Sequence, residues 1–175
     1  MRPHGALVPL VDILLPEYDR ETETTRRVLD RVPDDAMGWK PHATSMSLGA
    51  LAAHVASLPA WTGYVMRDTS LDISTPPLES PGPPASSGDL LQTFDDNVAS
   101  ARALLVDSID GELFTPWTLR RGSRVVFTLP KIATLRYFVL NHLIHHRGQL
   151  CVYLRMLNVK VPAIYGPATD DHSPA

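Results

Sequence analysis

Residues 130–157 read as one long helix that carries dense polar chemistry on the face that should be buried, and few folds accommodate such a segment. The stretch Asn141-His142-Leu143-Ile144-His145-His146-Arg147-Gly148-Gln149-Leu150 lies inside a stripe that runs from Leu135, Phe138 and Val139 to Leu150 and Tyr153. At about 100° per residue, His142 and His146 stand roughly 40° apart and one turn from each other, the spacing at which two imidazoles can grip one metal ion. The stripe points both rings into a core, so other helices must pack over it. Pro130 suits the first helical turn, where its missing N–H is no loss.

Three further segments supply partners. Leu7, Val11, Leu14, Tyr18, Val28, Leu29 and Val32 mark a helix over 7–32, with Pro16 either kinking it or marking its start. A loop with Trp39 as an aromatic anchor follows. Ser45 or Ser47 can cap a helix over 46–67, whose stripe is Leu51, His54, Leu58, Trp61 and Val65. Pro59 predicts a bend in it, because the carbonyl of Val55 loses its partner. Residues 68–88 are rich in Pro, Ser and Gly without hydrophobic period and read as a long surface crossover. Asp89 opens a helix over 89–109. Trp117-Thr118-Leu119 and Val125-Val126-Phe127 flank a glycine turn and read as a small hairpin or an irregular excursion before Pro130, while the tail from Val161 reads as irregular and frayed at its end. The expectation is an all-α, single-domain protein over residues 1–175, a four-helix bundle whose crossover permits an order other than up-down-up-down.

Composition narrows the partners. Sixteen Lys and Arg against nineteen Asp and Glu leave a net charge of -3, the wrong sign for gripping nucleic acid by counterion release, although Arg120, Arg121 and Arg124 could touch an anion locally. No apolar run of about 18 residues and no clear signal peptide is present, so neither membrane insertion nor export is expected. A lone cysteine, Cys151, cannot close an internal disulfide, which suits a reducing, cytoplasmic setting.

If the second and fourth helices are neighbours, His54 joins His142 and His146. Three neutral imidazoles with one open position suit Zn2+, and also Ni2+, Fe2+ or Co2+. Each ring can alternatively be a core histidine satisfied by a carbonyl or carboxylate. His145 points about 100° away from His146 and is a weaker ligand candidate. Asn141 and Gln149 can orient ring nitrogens, or simply face solvent. Arg147 reads as a solvated side chain, with pairing to an acidic residue of the first helix or attraction of an anionic substrate as alternatives. Cys151 reads as a small core residue. A zinc peptidase of the His-Glu-x-x-His type needs a glutamate where this chain has Leu143, so peptidase chemistry is unsupported. Hydrolysis would need metal-bound hydroxide or a carboxylate such as Asp12, Glu17 or Glu21 as base. Tyr18, Trp61 and Phe138 are the expected walls of a substrate pocket.

The order Trp39-Lys40-Pro41-His42, Ser47-Leu48-Gly49-Ala50-Leu51-Ala52-Ala53-His54-Val55 and Asn141 to Leu150, followed by Tyr153-Leu154-Arg155, resembles the DinB family of metal-binding four-helix bundles over nearly the whole chain. The resemblance implies a homodimeric bundle in which His54, His142 and His146 hold a divalent metal, Zn2+ or Ni2+ first. It implies a transferase of low-molecular-weight thiols, or a thiol-dependent isomerase, acting on a small-molecule substrate, the thiol serving as cofactor and its metal-stabilised thiolate as nucleophile. A metal-dependent hydrolase and a non-catalytic metal-binding or stress-response bundle are the alternatives.

Overall fold

The computed structural model describes residues 8–74 and 84–167. Four helical rods form a bundle. Helix α1 (Leu10–Leu29) is followed by α2 (Leu48–Ser57), a 3-10 turn at Leu58–Ala60 and α3 (Trp61–Arg67), which together make the second rod. Strand β1 (Ser70–Asp72) precedes α4 (Ser87–Val106), the third rod, and the one-turn α5 (Asp110–Leu113). Strands β2 (Pro116–Arg121) and β3 (Arg124–Pro130) lead into α6 (Lys131–Thr134), a π-helical segment (Leu135–Leu140) and α7 (Asn141–Met156), the fourth rod.

Helix α1 packs against α4 and α7, and α2 packs against the same two. The first and second rods therefore stand across a diagonal, as an order other than a simple sequential ring requires. Two adjoining clusters fill the interior. One gathers Val28, Leu51, Val55, Phe94, Leu143 and Leu154, the other Leu14, Tyr18, Val65, Leu105, Trp117 and Val139, with Trp61 and Val98 packed against both.

Local chemistry sets the helix ends. The N–H of Leu10, at the start of α1, donates to Asp110 Oδ1 at 2.9 Å, and Pro16 sits exposed inside the continuous helix. Ser47 caps α2 by accepting from the Ala50 N–H, and Ser86 caps α4 in reciprocal exchange with Asp89. Gly49 is required sterically: its N–H donates to the Met37 carbonyl at 2.9 Å, and a Cβ there would meet that oxygen and the Met37 Sδ at 3.1 Å. This close approach holds the Trp39 loop on α2, and Trp39 meets Tyr153 of α7 edge-on at 5.6 Å.

The bend predicted at Pro59 is the 3-10 turn between α2 and α3. The predicted hairpin is β2–β3, turning at Gly122 with φ +58, a value that favours glycine. Its extra partner, β1, pairs in parallel with β2 and lies inside the stretch read as structureless crossover. Three residues have no room for an alternating pattern, so periodicity could not reveal it. The remainder of that crossover, residues 75–83, lies outside the described residues, as does the chain end from 168. The tail is not wholly peripheral: Val161, Pro162 and Ala163 are buried.

The last rod differs most from expectation. The reading as one helix over 130–157 misses the wider π turn at Leu135–Leu140. Such bulges insert into otherwise regular helices and are frequent at functional sites. The spacing of Leu135, Phe138, Val139 and His142 fits an ordinary helix equally well, so the sequence carries no signal for it.

Candidate metal centre

The second and fourth rods are neighbours, and their stripes bring the three histidines together. His54 comes from the last turn of α2, His142 from the first turn of α7 immediately after the π segment, and His146 from one turn further on. One nitrogen from each lies within 4.8 Å of the other two, and the group contains no carboxylate. The Nε2 of His142 is 2.8 Å from that of His146 and 3.4 Å from that of His54. A cation held at about 2.0–2.1 Å by tetrahedral nitrogens spaces them roughly 3.3 Å apart, so the cluster has the dimensions for one ion. The three rings are half-buried rather than enclosed, which leaves a side open.

The electrostatics suit a cation and disfavour protons. Burial, with His146 adding repulsion, pushes His54 down to about 4. Burial and the neighbouring rings push His142 down to about 4 against a stabilising hydrogen bond to the Phe138 backbone. Burial also lowers His146, opposed by its bond to Gln149. Rings kept neutral near pH 7 present lone pairs, the form that binds metal.

Supporting residues fix which nitrogen is presented. His146 Nδ1 is 2.8 Å from Gln149 Oε1, an acceptor, so the proton belongs on Nδ1 and Nε2 is free to face the cluster. Gln149 Nε2 in turn lies 3.1 Å from His145 Nε2. His145 is thus outside the cluster but linked to it, and Gln149 has the orienting role that its place in the sequence suggested.

Other candidates fall elsewhere. Arg147 is not solvated: it is 1% exposed and belongs to a closed network. Its guanidinium donates to the Glu21 carbonyl (3.1 Å), Thr25 Oγ1 (3.2 Å), Glu21 Oε2 (2.8 Å) and Tyr165 Oη (2.6 Å). Tyr165 Oη donates to Glu21 Oε2 at 2.8 Å. Sequence reasoning undervalued this pairing because Tyr165 arrives from the irregular tail. Of the carboxylates considered as bases, Glu21 is committed to that network, Glu17 pairs with Arg136, and Asp12 is exposed in the first turn of α1. Cys151 is a buried free thiol, as read.

A cavity of about 390 Å3 opens beside the cluster and shares His142 with it. Phe138 lines it, as expected; Trp61 stacks behind Phe138 at 4.7 Å; Tyr18 is instead buried in the core and is not a wall. Among the described residues no helix is long and apolar enough to cross a membrane.

The fold has counterparts among known proteins. An uncharacterised Bacillus subtilis protein, YrdA, is 26% identical over 161 residues, covering 92% of this chain and 91% of its own. A DinB-like protein from Bacillus cereus superposes with a TM-score of 0.67 at 23% identity, over 90% of this chain and 98% of that one. The DinB-like protein YjoA of Bacillus subtilis gives 0.63 at 18%, over 92% and 99%. The family model described as the DinB superfamily matches residues 17–150, a span that takes in His54, His142 and His146 together with α2 and the first ten residues of α7. That match spans most of the chain and the fold agrees with it, so the chain belongs to the DinB superfamily.

Proposed function

We propose that His54, His142 and His146 hold a divalent metal ion, Zn2+ or Ni2+ first, and that the protein is a metal-dependent transferase using a low-molecular-weight thiol. The observation that carries this is the convergence of three neutral imidazole nitrogens, with no carboxylate among them, on one half-open point. When bound there, a divalent cation supplies Lewis acidity that favours the thiolate form of a thiol. The chain's own residues supply the rest. Gln149 holds the proton on His146 Nδ1, the Phe138 backbone orients His142, and the wall beside His142 is apolar.

A thiol from solution is favoured over a protein nucleophile because the single cysteine is buried and absent from the cluster. Hydrolysis is less well supported, since none of the carboxylates considered as bases belongs to the cluster. The protein acts on a small molecule, as a cytoplasmic homodimer with no role in binding nucleic acid.

The metal content of protein purified without chelator tests the site. About one equivalent per chain is expected, lost in the His142→Ala, His146→Ala double variant; equal metal in both forms would sink the triad. Turnover of an electrophile such as 1-chloro-2,4-dinitrobenzene with a panel of thiols, with and without metal, tests the reaction. Metal without thiol-dependent turnover leaves a non-catalytic metal-holding bundle.

A further inference from the structure

The cavity beside His142 has a composition that defines its occupant. One wall is the hairpin, through Leu119, Val126 and Phe127; the other is the last rod, through Tyr137 and Phe138. Phe127 meets Tyr137 edge-on at 5.6 Å and Phe138 at 5.9 Å, so three rings form a continuous apolar lining, backed by Trp117 at 5.8 Å from Phe138. The polar groups gather at the rod, where Asn141, His142 and His145 complete the lining. No Lys, Arg, Asp or Glu contributes. A charged ligand would lose its hydration there without a partner, whereas a ring would gain offset or edge contacts with three others. The volume of about 390 Å3 falls in the range of sites for small organic molecules.

We propose that this cavity seats the apolar half of the reaction: an uncharged aromatic molecule, its ring between the hairpin and Tyr137–Phe138 and its polar, reacting end toward Asn141 and His142. The assignment rests on the metal-centre reading for the claim that the occupant is a substrate, because His142 is the residue shared by cavity and cluster. The charge-free lining makes the hairpin the specificity element, and it separates this pocket from the place where a charged thiol would approach the open side of the triad. Tyr137 and Val126 are exposed at the rim, 59% and 51%, so the wall can be altered without disturbing the core.

The test uses two fluorescent probes of one skeleton, uncharged N-phenyl-1-naphthylamine and its sulfonated analogue 8-anilino-1-naphthalenesulfonate, titrated into protein as purified. The uncharged probe is expected to bind at least tenfold more tightly. Val126→Glu, which puts a carboxylate in the wall, should weaken it at least tenfold. Val125→Glu, one residue along the strand and outside the lining, should change it less than twofold. Equal or tighter binding of the sulfonate, or equal effects of the two glutamates, overturns the assignment. So does a wild-type protein that ignores the probe while Val126→Glu converts a dimer to a monomer in sedimentation, since the face is then an interface between copies. Metal analysis of the same samples separates the two readings. Metal-free protein that still binds the uncharged probe keeps the cavity and loses the metal centre; metal-loaded protein that ignores it loses the cavity.

Discussion

His146 and Arg147 are consecutive in sequence and do opposite things. Arg147 is nine-tenths or more buried, and its guanidinium finds a carboxylate, a carbonyl and two hydroxyls, so a charge taken out of water is fully compensated. His146 is half-buried, and its Nε2 faces two other imidazoles across 2.8 Å and 4.8 Å or less, with no carboxylate present. A closed polar network ties α7 to α1 and to the tail. An open one spends no stability on being satisfied and presents lone pairs to something else. The difference teaches how to sort polar residues on one helix: by whether their partners are already in the chain.

The largest effect is expected on the closed side. Arg147→Ala leaves Glu21 buried without its cation and should cost about 3–5 kcal/mol, read as a fall in the denaturation midpoint or as failure to accumulate folded protein. Arg147→Met with Glu21→Gln, which removes both charges, should recover a substantial part. If Arg147→Ala is nearly silent, the network is not holding the rods together and the contrast breaks.

The same substitution made on the open side should move metal instead of folding. His142→Ala is expected to abolish metal retention in elemental analysis while leaving the chelator-treated protein close in stability to chelator-treated wild type, because it deletes a half-buried ring with no charged partner. A chelator-treated variant that unfolds like Arg147→Ala would make the cluster a structural element after all. Gln149→Ala should be intermediate: loss of the group fixing the His146 tautomer typically lowers metal affinity by about 10–100-fold, measurable by competition with a chromogenic chelator. Gln149→Glu, which keeps an acceptor opposite Nδ1, should be much closer to wild type.

The contrast also explains what the sequence could reveal. The four rods, the bend at Pro59 and the glycine hairpin follow from periodicity and turn chemistry, which are local. The histidines were legible because each lies on the stripe of a long helix and the glycine at position 49 and serine at 47 fix how α2 begins. Arg147 was only partly legible: pairing with an acidic residue of the first helix stood as an alternative to solvation, but no local pattern chose Glu21 or announced Tyr165. The π turn was invisible for a different reason: five-residue and four-residue turns share the same apolar positions over so short a span. Consequently the convergence of the three histidines could be read from sequence, whereas the cavity, which needs β2, β3 and the π segment together, could not.

The smallest expected effect is the one that probes the open cluster with protons. In chelator-treated protein, His54 and His142 sit near 4, against about 6.5 for an unfolded histidine. Above pH 6.5 neither the folded nor the unfolded chain carries protons on them, and their full contribution is present. Between 6.5 and 4 the unfolded chain binds protons that the folded one refuses, so stability falls as pH falls through that window and levels off below it. Half-buried rings are partly hydrated, so the change should be modest, and because burial is its main cause added salt should leave most of it in place. A His54→Ala, His142→Ala variant should therefore show a flatter dependence of its thermal midpoint between pH 6.5 and 4 than wild type, both metal-free. Parallel curves would mean that the rings are hydrated and independent, and that the cluster is open to solvent rather than poised around a shared point.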